Sequence, residues 1–381
     1  MYNPLAVFTP VLGASSETFI QRHVLDLCPE GTSVIYAAQH HKLFWDTSRP
    51  KFHLDAKMPL KDRVFNRLYQ TISDGDRRSL LDPVRTKAVK DFLLVNKTKV
   101  ILGEYLDQSL WLLKIAKELN IKFFGHAHGY DVSEKLLDTF WRNEYLKYNQ
   151  ADGIITMNKL TKGKLIALGV KEKLIHVIPY GVEDANFQKS FRQNEEKIKC
   201  LAVGRMVAKK APLKLLEAFN IALKIYPNLH LDYIGTGDLL PQVENFITMQ
   251  SLQNNVSLHY EKPNVFVKEK MKEADIFVQH SITDPVSGDQ EGTPVAILEA
   301  MSYSLPVIST LHGGIPEAVQ NGINGFLVEE GDVEGMARLL VHLAHDKDLI
   351  HAFGTASKMK FQEEFSWVVE KRRLKNLLEL L

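Results

Sequence analysis

The chain has 381 residues, of which 45% are hydrophobic and 24% are charged, and its formal net charge is +1. This length allows two domains of about 150 to 200 residues, and the composition is that of an ordinary globular protein. No run of about 18 apolar residues predicts a membrane span, the N-terminus lacks the features of a signal peptide, and no nucleic-acid partner is expected. The two cysteines predict no disulfide framework, so we expect a reduced, cytoplasmic setting.

The near-neutral total hides an asymmetry between the two halves of the chain. Residues 1–190 carry 27 Lys and Arg against 21 Asp and Glu, whereas residues 191–381 carry 20 against 25. Basic residues cluster at 57–67 and at 85–99, and the second cluster has the spacing of an amphipathic helix. Such a face can hold a protein against the anionic inner surface of a membrane, but a solvated helix is the more common alternative.

The predicted elements alternate between strands and helices through the first half of the chain. Such alternation favours a doubly wound parallel sheet. The strands are predicted at Leu5–Thr9, Ser33–Ala37, Lys99–Gly103, Lys122–Gly125, Gly153–Met157 and His176–Pro179, and the main helices at Glu17–Leu27, Leu110–Leu119 and Lys159–Leu168.

A polar stretch over 183–197 is the best linker candidate, and a second alternating series follows it. Its predicted elements are Lys199–Val203, Lys214–Ile225, Leu229–Ile234, Asp275–Gln279 and Pro306–Ser309, and the last stretch, Phe365–Leu381, has helical apolar spacing. The fold class is therefore α/β, with two Rossmann-like domains.

Two loops of the first domain carry candidate functional residues. Gly13 follows the first strand, and a glycine there lets the backbone approach a ligand closely. His126 and His128 follow a later strand, and their spacing places both side chains on one side of an extended segment. A histidine can bind hydroxyls or carry protons near neutral pH. Two histidines also suggest a metal site, but the sequence offers no evident third ligand, so no metal is expected.

In the second domain, Gly204 and the cations Arg205 and Lys210 follow a predicted strand directly. Cations at the carboxyl edge of a parallel sheet face the crevice where such folds bind ligands. A solvated basic loop is the alternative.

Two glutamates, Glu291 and Glu299, flank the start of a further predicted helix. We expect Thr293 to be the N-cap and Pro294 to be the first helical residue. The amides of a helix N-terminus suit a phosphate or diphosphate, so carboxylates on both sides of it suggest a sugar nucleotide. An ordinary surface helix would show the same spacing.

The order of motifs over residues 278–331 resembles the donor-binding region of the retaining glycosyltransferases of family 4, which have the GT-B fold. The matching pieces are Glu291-x7-Glu299, Glu299-Ala-Met, Pro306-Val-Ile, Gly313-Gly-Ile-Pro-Glu and Asn324-Gly-Phe-Leu. His128-Gly-Tyr-Asp resembles the strand-end motif of the same family. The segments after Ser16 and Asp289 resemble most closely the branch that makes exopolysaccharides of the colanic acid type.

The resemblance implies two Rossmann-like domains facing a central cleft. Residues 1–185 would bind the acceptor and residues 195–360 the nucleotide-sugar donor, and the helix within 361–381 would cross back to the first domain. Glu291 and His128 would act in catalysis. The donor would contact Gly13, Arg205, Lys210, Thr293, Val295, Ala296 and Glu299, and candidate sugar or acceptor contacts are His126, Tyr130 and Asp131.

The implied activity is transfer of a sugar from a nucleotide diphosphate to a hydroxyl of a glycan, a lipid-linked acceptor or a small molecule, without cofactor or metal. Retention normally indicates a protein nucleophile, but the resemblance implies front-face attack, in which the leaving phosphate deprotonates the acceptor. Two alternatives stay open. A GT-B epimerase would need no acceptor, and a non-catalytic sugar-nucleotide-binding subunit would show no turnover.

Overall fold

The computed structural model describes residues 2–14, 17–40, 45–54, 81–187, 189 and 197–380. The chain divides into two compact units. The first unit contains Met1–Ile178 together with Lys371–Leu381, and the second unit contains Pro179–Glu370.

The first unit is built on a parallel sheet of seven strands in the order β3-β2-β1-β4-β5-β6-β7. The strands are β1 (Leu5–Leu12), β2 (Thr32–Gln39), β3 (Lys51–His53), β4 (Val100–Glu104), β5 (Lys122–His126), β6 (Gly153–Thr156) and β7 (Ile175–Val177). The α-helices described among them are α1 (Thr18–Leu25), α2 (Pro83–Val95), α3 (Leu106–Ser109), α4 (Leu112–Leu119), α5 (Thr139–Tyr145) and α6 (Lys159–Leu168).

The second unit is built on a parallel sheet of six strands in the order β10-β9-β8-β11-β12-β13. The strands are β8 (Ile198–Val203), β9 (Leu229–Ile234), β10 (Val256–Leu258), β11 (Ile276–Val278), β12 (Val307–Thr310) and β13 (Gly325–Val328). The α-helices are α7 (Pro212–Ile225), α8 (Leu240–Met249), α9 (Asn264–Glu273), α10 (Val295–Ser302), α11 (Ile315–Ala318), α12 (Val333–His345) and α13 (Lys347–Lys360); α14 (Trp367–Leu377) begins in this unit and ends in the first.

Both sheets are covered on their two faces, which explains why some of their strands are buried at every position. β4 is buried at all five positions and β12 at all four. In the first unit the sheet packs against side chains such as Leu93 of α2 and Tyr148. In the second unit it packs against Phe219 of α7 and Leu340 of α12.

The α/β class and the doubly wound sheets predicted from the sequence are confirmed. The basic cluster at 57–67 lies outside the described residues, as does most of the predicted linker. Among the described residues, no helix is both long and apolar enough to cross a membrane.

Candidate functional site

In the second unit, the loops that follow β8 and β9 meet at the carboxyl edge of the sheet, where open α/β folds bind their ligands. Gly235 has φ +150°, and a Cβ there would lie 1.9 Å from the carbonyl oxygen of Gly204. Gly237 has φ +155°, and a Cβ there would lie 2.5 Å from the carbonyl oxygen of Met206. Only glycine allows this close approach, so these two glycines fix the course of the basic loop.

The basic loop after β8 meets the acidic segment before α10. Lys210 Nζ lies 3.1 Å from Glu291 Oε2, and Lys209 Nζ lies 2.7 Å from Asp289 Oδ2 and 3.6 Å from Glu291 Oε1. Burial opposes ionisation of Glu291, but the two lysines outweigh it and lower the pKa of this carboxyl to about 2. Burial lowers the pKa of Lys210, although Glu291 counteracts the effect. At neutral pH Glu291 is therefore a carboxylate held beside two amines.

The backbone at Glu291 is held by His312, which the sequence analysis did not single out. The Glu291 N–H donates to His312 Nε2 at 3.0 Å, and His312 Nδ1 lies 2.5 Å from Glu330 Oε1. The imidazole thus bridges an amide and a carboxylate, which fixes its tautomer with the proton on Nδ1. The signal in the sequence is its position two residues after the end of β12, at the same sheet edge as Lys210.

Gly313 follows His312 and allows the two loops to touch. Its φ is +54°, and a Cβ there would lie 2.2 Å from the carbonyl oxygen of Glu291. The Gly314 N–H also donates to the Gly292 carbonyl at 2.6 Å. The predicted Gly-Gly motif therefore packs directly against the segment that carries Glu291.

Helix α10 starts one residue later than the sequence predicts. Pro294 occupies the N-cap position, with φ −62° and an extended ψ of 117°, and no side chain of the described residues caps the helix. The prediction that Thr293 is the N-cap was wrong. The reason is the extended ψ of Pro294, which keeps the proline outside the helix, so that Thr293 lies one position too early and is buried.

The remaining donor candidates lie around the same segment. Val295 and Ala296 are the first two residues of α10, and Glu299 is half-buried in its second turn. Arg205 is exposed on the basic loop and is close enough to Lys210 to affect its pKa. The structure therefore brings the predicted cations, Glu291 and the start of α10 together in one unit.

Ala211 ends the basic loop in a left-handed conformation, with φ +37° and ψ 54°. Only glycine adopts this region without a steric penalty.

In the first unit, His126 and His128 lie around a buried glutamate that the sequence analysis missed. Glu104 ends β4 and pairs in register with His126 at the end of β5. Its Oε2 lies 3.0 Å from His126 Nδ1 and 2.9 Å from His128 Nε2, and its Oε1 lies 2.7 Å from His23 Nδ1. The sequence could have indicated Glu104 by its position at the end of a strand, because the carboxyl ends of adjacent parallel strands lie side by side.

His128 is held between two aromatic rings. The ring centroids of Phe19 and Tyr105 lie 4.8 and 4.3 Å from that of the imidazole. Burial lowers the pKa of His128 to about 3, an effect that the adjacent His126 strengthens and Glu104 opposes. The ring is therefore neutral.

Asp131 and Tyr130 were both predicted as sugar or acceptor contacts, and both form hydrogen bonds with other residues of the first unit. Asp131 is fully buried, and its carboxylate accepts from the backbone N–H groups of His128 and Leu106, each at 2.9 Å. The Tyr130 hydroxyl donates to Asp107 at 3.2 Å. Asp131 thus fixes the backbone that carries His128, while Tyr130 is half-buried.

Gly13 lies in the loop after β1, with φ +87°. The helix that follows this loop carries Phe19, and Glu17 just before it accepts a hydrogen bond from the Tyr105 hydroxyl at 3.0 Å. Burial raises the pKa of Glu17 to about 7. The first loop is thereby connected to the aromatic side chain that packs on His128.

His23, Glu104 and His126 also form a potential set of metal donors, with one atom each within 4.8 Å of one another. Structural zinc sites have four protein ligands, and catalytic sites have three and an open position for water. All three residues have no exposed surface, and among the described residues this group holds three members and does not include His128. The arrangement therefore fits a buried carboxylate that is hydrogen-bonded to His23 and His128 better than it fits either kind of zinc site.

Comparison with known proteins supports a family assignment. The family described as "Glycosyl transferases group 1" matches residues 183–360. The chain is 31% identical over 271 residues to the amylovoran biosynthesis glycosyltransferase AmsK of Erwinia amylovora, covering 71% of this chain and 66% of that protein. It is 29% identical over 257 residues to the putative colanic acid biosynthesis glycosyltransferase WcaL of Escherichia coli, covering 67% and 63%. The alignments thus span just under two thirds of these relatives' length.

Solved structures show the same architecture at low sequence identity. Anabaena Alr3699/HepE in complex with UDP and glucose superposes over the full length of both chains with a TM-score of 0.76 and 15% identity. Sucrose-phosphate synthase from Thermosynechococcus elongatus gives 0.74 and 16%, covering 99% of this chain and 98% of that one. The resemblance to the exopolysaccharide branch found in the sequence is confirmed by the curated relatives. The segment 183–360 therefore carries a group 1 glycosyltransferase domain, and the chain has the GT-B fold.

Proposed function

We propose that the protein is a retaining glycosyltransferase of family 4 that transfers a sugar from a nucleotide diphosphate to a hydroxyl acceptor. The observation that carries this proposal is the pairing of Glu291 with Lys210 at the carboxyl edge of the second sheet, beside the N-terminus of α10. A carboxylate suits sugar hydroxyls, while an amine and a helix N-terminus suit phosphate. The group that suits the sugar and the group that suits the phosphate thus lie within hydrogen-bond distance of each other, as the neighbouring sugar and diphosphate of a sugar nucleotide require.

The donor's diphosphate would be bound by cations and amides together. Lys210 and Arg205 supply positive charge, and the backbone amides at Thr293, Val295 and Ala296 supply donors. As the glycosidic bond breaks, negative charge grows on the leaving phosphate, and fixed positive groups stabilise it in the transition state. Glu299, half-buried in α10, would bind the ribose hydroxyls.

Retention would proceed by front-face attack, with the leaving phosphate as the base that takes the acceptor proton. Glu291 would not be a nucleophile. Its lysine partners hold its pKa at about 2, so it is ionised but weakly basic. Its part would be to accept hydrogen bonds from hydroxyls of the transferred sugar. An inverted anomeric configuration in the product would contradict this mechanism.

The curated relatives support a glycan or lipid-linked acceptor. AmsK is named for amylovoran biosynthesis and WcaL for colanic acid biosynthesis, and another relative is named as a galactosyltransferase acting on a diphosphoundecaprenol-linked GlcNAc. We propose an acceptor of the same class, a precursor of an extracellular polysaccharide, for this chain. His128 would bind a hydroxyl of the acceptor or of the transferred sugar.

The donor test is thermal stabilisation by a panel of UDP-, GDP- and ADP-sugars. A ligand at a hundredfold excess over Kd stabilises the folded state by about 2.7 kcal/mol. We expect one nucleotide class to stabilise the wild type and Lys224→Ala, an exposed lysine of α7, but not Lys210→Ala. Stabilisation of Lys210→Ala equal to that of the wild type would contradict the assigned donor site.

Activity assays separate the alternatives. Transfer of label from the matching donor to a polyprenyl-diphosphate oligosaccharide supports a transferase. Conversion of the donor alone to an isomer would instead identify an epimerase. Donor binding without turnover across an acceptor panel would favour a non-catalytic subunit.

We also propose a peripheral contact with anionic membranes at the end of α2. Leu94 and Val95 are 58% and 69% exposed there, and the exposed lysines Lys87 and Lys97 lie on or just after the same helix. Exposed apolar side chains next to lysines suit an anionic lipid surface. We expect co-sedimentation with phosphatidylglycerol vesicles but not with phosphatidylcholine vesicles, and weaker binding by a Leu94→Gln/Val95→Gln variant. Equal binding to both vesicle types would contradict the proposal.

A further inference from the structure

Lys209 is a second lysine beside Glu291, and the proposed donor site gives it no part. Its Nζ lies 2.7 Å from Asp289 Oδ2 and 3.6 Å from Glu291 Oε1. The side chains of Lys209, Asp289 and Glu291 are only 13%, 19% and 11% exposed. Two neighbouring lysines and two carboxylates thus form one charge cluster from which water is largely excluded.

The two oxygens of the Glu291 carboxylate have different partners. Oε2 lies 3.1 Å from Lys210 Nζ. Oε1 is buried and has no hydrogen-bond partner within the described part of the chain. The 3.6 Å from Oε1 to Lys209 Nζ is only a little longer than the usual N–H···O distance of about 2.7–3.2 Å. A small movement of this amine would therefore give Oε1 the partner that it lacks.

Lys209 is held in this position by its backbone and by its side chain. Its carbonyl accepts the Ile282 N–H at 2.9 Å, and its amine is bound by Asp289. Asp289 is fixed in turn, because its carbonyl accepts the Asp284 N–H at 2.9 Å and its own N–H donates to Ser287 Oγ at 3.2 Å. A side chain tied in this way stays within the cluster.

Donor binding changes the balance of charge around Glu291. In the proposed function Lys210 binds the donor's diphosphate, whose negative charge competes with Glu291 for the same amine. A carboxylate that is only 11% exposed is destabilised when its cation is drawn away. A second cation within reach of Glu291 removes this obstacle to binding.

We propose that Lys209 is a positioning residue that compensates the charge of Glu291 through Oε1 when Lys210 binds the donor's diphosphate. The diphosphate in this inference rests on the proposed function. The two neighbouring lysines then have separate tasks, because Lys210 acts on the ligand directly and Lys209 acts on it only through Glu291. Loss of Lys209 should therefore weaken diphosphate binding only in a protein that still carries the Glu291 carboxylate.

A double-mutant cycle measured on ligand binding tests this dependence. Isothermal titration calorimetry gives the Kd of UDP, GDP and ADP for the wild type, Lys209→Gln, Glu291→Gln and the double variant. For the nucleotide that the wild type binds, we expect Lys209→Gln to raise Kd about 10-fold. In the Glu291→Gln background the same substitution should leave Kd nearly unchanged. Lys210→Gln, in contrast, should raise Kd in both backgrounds.

Three outcomes would overturn the inference, and they differ in what they say of the donor site. An equal rise in Kd in both backgrounds would mean that Lys209 acts on the ligand directly or on the fold alone. No rise in either background would mean that Glu291 needs no second cation. Binding of none of the three nucleotides by the wild type would contradict the proposed function itself, and the inference with it.

Further variants separate the role of the Lys209 charge from a general effect of losing an ion pair. Lys209→Gln/Asp289→Asn leaves no unpaired carboxylate at Asp289 and should show the same rise in Kd, whereas Lys209→Arg keeps the cation and should bind like the wild type. The matched control is Lys358→Gln/Asp184→Asn, which removes another ion pair of the second unit whose side chains are 17% and 27% exposed. An equal rise in Kd in this control would overturn the assigned role.

Discussion

Glu291 Oε2 lies 3.1 Å from Lys210 Nζ, and the two side chains are only 11% and 13% exposed. Each charge of a pair so little exposed to water offsets the other. Removing Glu291 leaves Lys210 as an unpaired buried charge, and removing Lys210 leaves Glu291 with only the more distant Lys209. The pair is thus expected to contribute to the fold of the second unit as well as to the chemistry proposed for it.

A double-mutant cycle tests this dual role. We expect Glu291→Gln to lower the free energy of unfolding by about 1–3 kcal/mol and kcat by about 100-fold. The double variant Glu291→Gln/Lys210→Met should be less destabilised than the sum of the single variants, since it leaves no unpaired charge. Urea denaturation of the four proteins gives the coupling energy. Strict additivity in stability would show that the two charges do not interact.

His312 is expected to act through Glu291. Its Nε2 accepts the Glu291 N–H, and its Nδ1 is bound by Glu330. Replacing it with phenylalanine fills the space but removes the acceptor, so the Glu291 amide loses a partner at a cost of about 1–3 kcal/mol. We expect His312→Phe to weaken donor stabilisation and to lower kcat about 10-fold, whereas His345→Phe, at the exposed end of α12, should change neither. Unchanged kcat in His312→Phe would rule out a part for this contact in turnover.

The sequence predicted the sheets because strands covered on both faces are apolar runs, which hydrophobic patterning detects directly. Lys210 and Glu291 were found because each follows or precedes a predicted element at the sheet edge. Glu104 and His312 were missed although they lie at the same edges. Strand order determines which strand ends are neighbours, and the sequence pattern does not give the order β1-β4-β5 that brings Glu104 to His126. The start of α10 was missed by one residue, because proline fits both the N-cap and the first helical position.

Alanine substitutions at two glycines with positive φ distinguish the effect of steric crowding from that of backbone strain. A Cβ at Gly313 would lie 2.2 Å from the Glu291 carbonyl oxygen, whereas a Cβ at Gly322 would have no heavy atom of the described residues within 4 Å. Both substitutions to alanine carry the left-handed penalty of about 1–2 kcal/mol. We expect only Gly313→Ala also to displace the segment that carries Glu291. This variant should therefore lose the thermal stabilisation that the donor gives. Equal donor responses in the two variants would mean that the loop contact does not shape the site.

Glu17 should make the stability of the protein depend on pH near neutrality. Burial raises its pKa to about 7 in the folded chain, against 4.5 ordinarily, although the hydrogen bond from Tyr105 opposes the shift. Between those two values the folded state binds more protons than the unfolded state, so the free energy of unfolding falls as pH rises through this window and levels off above pH 7. Glu17→Gln removes this titration. We therefore expect the wild type to lose about 1–3 kcal/mol relative to Glu17→Gln between pH 4.5 and pH 8, measured by urea denaturation at each pH. Glu334→Gln, at an exposed carboxylate of α12, is the matched control. A constant difference between wild type and Glu17→Gln across this range would show that the Glu17 carboxyl titrates alike in the folded and unfolded chains.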